Sequence, residues 1–224
     1  LEDDSYYGVV IVTNAASIEP LAFFSSIVFD TDKAFVISEG VYSGVWVAMD
    51  PDSEERGPVT VGYETGLIYP GITATPIGIT TIDGVAWFLD ASKPELVGEY
   101  SGIRYAYPNF TSTDVDLSSA PLVPIIYDGD YSPSLINSLS SSLDGLIVVV
   151  SSLATNVTSS TLESDTFPVV YAQSGPSLSY LAYEDVPENA IAAGYLTPIQ
   201  AQLLVSISIV NNVTDPSTIN TLFP

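Results

Sequence analysis

Cysteine and histidine are both absent from this chain of 224 residues, methionine occurs once, tryptophan twice, and only four residues are basic. Without cysteine neither a disulfide nor a thiolate metal site exists, so the sequence carries no redox signature of its compartment. Without histidine the commonest metal ligand and the usual general base at neutral pH are missing as well. Lys33, Arg56, Lys93 and Arg104 face 27 acidic residues, leaving a net charge of −23. Such a surface repels phosphates and anionic lipid heads, so neither nucleic acid nor membrane is expected as a partner. No apolar run approaches the ~18 residues that cross a bilayer. The opening Leu1-Glu2-Asp3-Asp4-Ser5 lacks an initiator methionine and resembles no secretory leader, which predicts a chain that begins at a processing site.

What is present describes a globular protein. Hydrophobic residues make up 46% and charged residues only 14%, enough apolar surface to build a substantial core. The acidity suits an acidic or cation-rich medium. Asn109-Phe-Thr, Asn156-Val-Thr and Asn212-Val-Thr are acceptors for N-linked glycans. Together with the scarcity of lysine they predict a secreted glycoprotein, extracellular or associated with a cell wall.

The chain is organised around Tyr6 to Phe24. The apolar run Val9 to Val12 breaks into the small polar group Thr13 to Ser17, and a helical pattern begins at Ile18. A buried parallel strand thus enters a helix, with Ser17 the expected N-cap and Pro20 near the helix start. Ligands of open α/β sheets bind beyond the carboxyl ends of strands, which directs attention to Thr13 to Ser17. Further strands are predicted at Lys33 to Ser38, Val123 to Tyr131, Asp144 to Val150 and Phe167 to Ala172. Asp83-Gly84 between alternating apolar runs reads as a hairpin turn. Ser132-Pro133 opens one helix, and Thr197-Pro198 opens another with an apolar stripe of Leu203, Leu204, Ile207 and Val210. Strands alternating with helices at this spacing predict parallel sheets.

The strand at Val9 to Val12 and the following Ile18-Glu19-Pro20-Leu21-Ala22-Phe23-Phe24 resemble the asparaginase/glutaminase family, in which this strand runs into His-Gly-Thr-Asp-Thr. Thr75-Pro-Ile-Gly through Asp83-Gly84-Val and the final helix from Thr197 resemble the same family, and Gly44 to Asp50 resembles its strand of the type Gly-Val-Leu-Val-Val-Met-Asn-Asp, which implies a strand there reached almost directly from Ser38. The resemblance implies an α/β fold of two parallel-sheet three-layer domains of the asparaginase type, the first truncated by loss of an N-terminal strand and a crossover helix. Residues 1–90 would form that first domain, 91–121 a linker, and 122–224 a Rossmann-like second domain. On this alignment the family's catalytic Thr and Asp fall on Ala15 and Ala16, and the next Thr on Ser17. The stretch Pro51 to Tyr69, where the family places its catalytic Lys, holds only Arg56. The family's mobile loop, which supplies the nucleophilic Thr, would precede the equivalent of Asp4.

Each candidate group has a plain structural reading beside the chemical one. Thr13, Asn14 and Ser17 could touch a substrate, but a hydroxyl nucleophile needs an adjacent base, and a turn with a helix cap explains the same residues. Ser152 to Asn156 is a degenerate form of the family's Gly-Asn-Gly-Asn, and Glu184 or Glu188 stands near its conserved Glu; solvated loops explain these as well. Asp50-Pro-Asp52 and Asp128-Gly-Asp130 lack the spacing of a calcium loop, so neither a metal nor any cofactor is expected. The 14 tyrosines suit an interface, since tyrosine buries area while keeping a polar tip. The expectation is a catalytically inactive asparaginase-like protein that self-associates as a homo-oligomer or filament in a structural role. The alternative is a processed subunit of an asparaginase-type amidohydrolase that releases ammonia from asparagine.

Overall fold

The computed structural model describes residues 3–29, 31–54, 56–62, 64–71, 76–81, 84–88, 120–128, 134, 138–150, 167–174 and 181–224. The chain divides into two compact units, Leu1–Thr111 and Ser112–Pro224. Nearly all of the expected linker 91–121 lies outside the described residues, as do Asp83 and the start of the helix expected from Ser132.

In the first unit, β1 (Gly8–Val12) leads into α1 (Ala15–Val28), β2 (Ala34–Ser38), α2 (Val41–Ala48) and β3 (Pro58–Val61). Three antiparallel strands follow, β4 (Leu67–Pro70), β5 (Gly78–Thr80) and β6 (Ala86–Phe88), and the sheet order is β1 to β6 in sequence. β1, β2 and β3 pair in parallel; β3 to β6 pair antiparallel. The expected parallel sheet is therefore mixed, parallel only over its first three strands.

Alternation along the strands sorts the core into two faces. Val9, Ile11, Phe35 and Ile37 pack with Ala22, Ile18 and Leu21 of α1. Val10, Val36, Val59 and Val61 pack with Val47 and Ala48 of α2. One helix thus covers each face of the parallel strands, as parallel strands require.

Two expectations are corrected here. Of the stretch Gly44 to Asp50, which the resemblance made a strand, Gly44 to Ala48 belong to α2, and the next strand begins at Pro58. The crossover helix expected to be missing is therefore present, at eight residues. It stops because Pro51 excludes its predecessor from helical angles: Asp50 is extended at φ −76°, ψ 125°. Gly44 lets this short helix lie close to the sheet, since a Cβ there would meet Val10 Cγ1 at 2.7 Å and Ser38 Cβ at 3.1 Å.

In the second unit β7 (Ile125–Tyr127), β8 (Leu146–Val150), β9 (Val169–Gln173) and β10 (Ile191–Ala192) form a sheet in the order β10-β9-β8-β7, all parallel. Two helices follow, α3 (Pro198–Val210) and α4 (Pro216–Asn220). Thr197 caps α3 as expected, and Gln200 reaches back to the Thr197 N–H to complete a capping box. The buried residues of α3 are Gln200, Ala201, Leu204, Val205, Ile207 and Ser208, which include Leu204 and Ile207 of the expected stripe. Leu203 and Val210 of the expected stripe are only half-buried.

Replacing Gly44 by valine forces α2 off Val10 and Ser38. Gly44→Val is expected to cost about 2–3 kcal/mol by overpacking, read as a lower urea midpoint with an unchanged slope.

Candidate functional site

The carboxyl ends of β1 and β2 lie side by side, tied by the Thr13 N–H donating to the Ser38 carbonyl at 3.0 Å. Each strand passes into a helix N-terminus, so one sheet edge gathers Thr13, Asn14 and Ser17 with Ser38, Gly40 and Ser43. This is where an open α/β sheet would hold a ligand.

The first of these helix starts is closed by its own side chains. Asn14, not Ser17, is the N-cap of α1: its Oδ1 accepts from the Ser17 N–H and from Ser17 Oγ, both at 3.2 Å. Ser17 stands in the third helical position, and Ala15 and Ala16 fill the first two, both exposed. Pro20 lies inside α1 and supplies no N–H toward the Ala16 carbonyl one turn back.

At the second start, Ser38 is fully buried. Its hydroxyl lies 3.1 Å from Ser43 Oγ and 2.9 Å from the Gly40 carbonyl, and accepts from the Gly40 N–H at 3.1 Å. Ser43 Oγ also donates to the Gly40 carbonyl at 3.1 Å. These hydroxyls satisfy the turn and one another, and none of the partners just described is a titratable group that would make Ser17, Ser38 or Ser43 a nucleophile. Ser38 and Ser43 escaped the sequence reading. The available signal was the one used for Thr13: a buried apolar run, Ala34 to Ile37, that ends in a small polar residue.

The remaining predicted groups sit apart. Glu184 lies in the second unit, exposed on a 3-10 turn (Tyr183–Asp185), and Glu188 is exposed nearby. Asp50 Oδ1 accepts from the Asp52 N–H at 2.9 Å and so caps the 3-10 turn Pro51–Ser53. Arg56, the cation of the stretch where the family's lysine would stand, is buried with its guanidinium 4.2 Å from the Phe88 ring centre and its Nε donating to the Asp52 carbonyl. It braces the sheet against the loop after α2. Asp130, Asn109 and Asn156 lie outside the described residues. Among those described, no cluster of three His, Cys, Asp or Glu could hold a metal ion.

Asn212 has a definite place. It is exposed just past α3, at φ 64°. The Val213 N–H donates to the Ser208 carbonyl and the Asn212 N–H to the Ile209 carbonyl, both at 2.9 Å. This pair of bonds closes a helix C-terminus around a left-handed residue, a role for which asparagine ranks next to glycine. Asp215 then caps α4, accepting from Ser217 Oγ at 2.6 Å, Thr218 Oγ1 at 2.7 Å and the Thr218 N–H at 2.9 Å. The Ser217 hydroxyl, followed by the Thr218 donors, holds the Asp215 carboxyl below its ordinary 3.8.

No family model matches the chain. Over 236 aligned residues, and throughout its length, it is 45% identical to Protein YGP1 of Saccharomyces cerevisiae, spanning 66% of that protein. Over 245 residues it is 43% identical to the sporulation-specific wall maturation protein of the same yeast, spanning 75% of it. Among solved structures, the probable cytoplasmic L-asparaginase of Campylobacter jejuni matches with a TM-score of 0.71, over 97% of this chain and 79% of that one, at 18% identity. At that identity the likeness is one of fold, and it is the asparaginase fold.

If Asn14 acts as a cap, Asn14→Ala lowers unfolding stability by about 1 kcal/mol, while Ser17→Ala costs less because the Ser17 N–H keeps its acceptor. A folded pKa below the unfolded one means that the Asp215 contribution is present above 3.8 and is lost as pH falls through the folded value. Asp215→Ala is expected to lower the urea midpoint near neutrality, and the gap to the parent is expected to close as the pH drops below 3.8.

Proposed function

The chain belongs to the family of Protein YGP1 and the sporulation-specific wall maturation protein, and from that premise we propose that it is a secreted, wall-associated glycoprotein in which an asparaginase-type fold serves as a structural scaffold. The observation that carries the reading is the occupancy of the strand end. Ala15 and Ala16 stand exposed at the first helical positions, and the Ser17 hydroxyl is bonded to Asn14. An alanine methyl neither attacks a carbonyl nor holds a proton, and fold alone does not carry activity.

The name of one relative ties that protein to wall maturation. The three sequons, the net charge of −23 and the absence of histidine suit a protein that works outside the cell and is used for its surface. Self-association of copies belongs to this reading, because a structural role multiplies a surface rather than a site. An amidohydrolase subunit remains the second reading. It draws on the likeness to an asparaginase, and it must find outside this chain the groups that Ala15 and Ala16 lack.

Native secreted material is expected to release no ammonia from asparagine or glutamine above the blank. Ammonia release by fractions in which a second polypeptide co-migrates would overturn the scaffold reading in favour of the hydrolase. The native mass is expected to fall on treatment with an endoglycosidase that removes N-linked glycans. Thr214→Ala, which abolishes the sequon while keeping Asn212 at its left-handed position, is expected to remove one glycan without changing the urea midpoint.

A further inference from the structure

Asn212-Val213-Thr214 is an acceptor triplet in the sequence and a closed corner in the fold. It joins α3 to α4, and both ends of the join are tied down. On the α3 side the N–H groups of Asn212 and Val213 turn back to the Ile209 and Ser208 carbonyls, each at 2.9 Å, with Asn212 left-handed at φ 64°. On the α4 side the Asp215 carboxylate accepts from the Thr218 N–H and from the Ser217 and Thr218 hydroxyls, and Ile219 is wholly buried. The two asparagines of the corner have different roles. Asn211 Nδ2 donates to the Ile207 carbonyl at 2.8 Å, whereas among the described residues none bonds to the Asn212 side-chain amide, and Asn212 is exposed.

We propose that Asn212 accepts its glycan only while this corner is open, so that the folded second unit admits the product and refuses the reaction. The proposal rests on the glycoprotein reading above and deepens it. In the transfer, Asn212 Nδ2 bonds to C1 of an oligosaccharide carried on a lipid diphosphate. The C1–O bond to the diphosphate breaks, the lipid diphosphate leaves with the bonding electrons, and the amide gives up one proton. A transferase that reads the amide together with the hydroxyl two residues on needs the triplet lying free in its cleft. The folded corner withholds that segment: two backbone bonds and the left-handed turn at Asn212 must be undone before residues 212–214 can extend, and Val213 is half-buried. Modification of the folded chain therefore follows the small population in which the corner has locally unfolded. The finished glycan meets no such bar. Asn212 contributes its backbone to the corner, and its side-chain amide lies outside those bonds. A glycan at Asn212 thus records that the chain met the transferase before the end of α3 had closed.

The test uses the intact chain made without glycans, given a purified oligosaccharyl transferase, the lipid-linked donor and a short acceptor peptide as a control in the same tube. Mass spectrometry of the fragment that holds Asn212 reads its occupancy over time. Leu204→Asp places a charge at a fully buried position of α3 and opens the corner without touching the triplet. The parent is expected to accept at Asn212 about tenfold or more slowly than Leu204→Asp. Asp215→Ala, which loosens the start of α4, is expected to accept about fivefold faster than the parent. Asp215→Asn, whose side chain caps as well, is expected to match the parent. A parent that accepts as fast as Leu204→Asp overturns the proposal and leaves the glycoprotein reading standing. Acceptance at Asn212 by neither chain, with the control peptide glycosylated, overturns the proposal and removes Asn212 from that reading too. Equal acceleration by Asp215→Ala and Asp215→Asn assigns the effect to the charge beside the triplet and overturns the proposal as well.

Discussion

The first unit depends on one steric requirement: parallel strands must be covered on both faces, and the cover on one face is a helix of only eight residues. Length does not supply the contact, so proximity must. Gly44 provides it by letting the backbone of α2 settle on Val10 and Ser38. The same closeness buries Ser38 and brings Ser43 to its hydroxyl. At the far end of the sheet, Gly84 of the β5–β6 turn lies against the Trp46 ring, where a Cβ would come within 2.9 Å. A short helix is thus held from the strand side by a glycine of its own and from the loop side by a glycine of its neighbour.

That packing explains why the strand ends read as structure before they read as chemistry. A hydroxyl becomes a nucleophile when a base takes its proton, and a helix start becomes an anion site when its N–H groups are left for a ligand. Here Asn14 occupies a donor of α1, and Ser38 occupies the Gly40 N–H. Alanine at the two leading positions of α1 adds helix propensity and no chemistry. The polar groups of this strand end are satisfied from within.

Much of this was legible in the residues. The runs Val9 to Val12, Ala34 to Ile37 and Leu146 to Val150 are strands because they are short, continuous and β-branched, and the Thr197-Pro198 pair marks its helix start by capping chemistry. The misreadings have physical causes. Val41 to Met49 is apolar all round, so it has no period; Val41, Tyr42, Val45 and Met49 face outward while Gly44 and Val47 face the core. An apolar run of that length fits a buried strand equally well. The true strand, Pro58 to Val61, has four residues and begins with proline, after a loop in which Arg56 disguises the burial. Asn14 and Ser17 are both good caps, and only the backbone shows which one turns first. The domain likeness rested on residues that pack, which is why the scaffold was readable.

Charge decides what kind of association such a scaffold tolerates. With four basic residues in the whole chain, copies have few cations to offer one another, and Arg56 is committed to the interior beside Phe88. Salt bridges between copies are therefore scarce by composition. Any stable contact must use backbone bonds or apolar and aromatic area, and it must lie where the acids are sparse. Uncharged strand edges and the outward side of α2 meet that condition; the acidic loops do not. An acidic medium relaxes the repulsion between copies by protonating exposed carboxylates, whereas a contact of neutral groups does not itself titrate. A protein of this composition gains freedom to associate as pH falls, until caps such as Asp215, which need their charge, begin to let go.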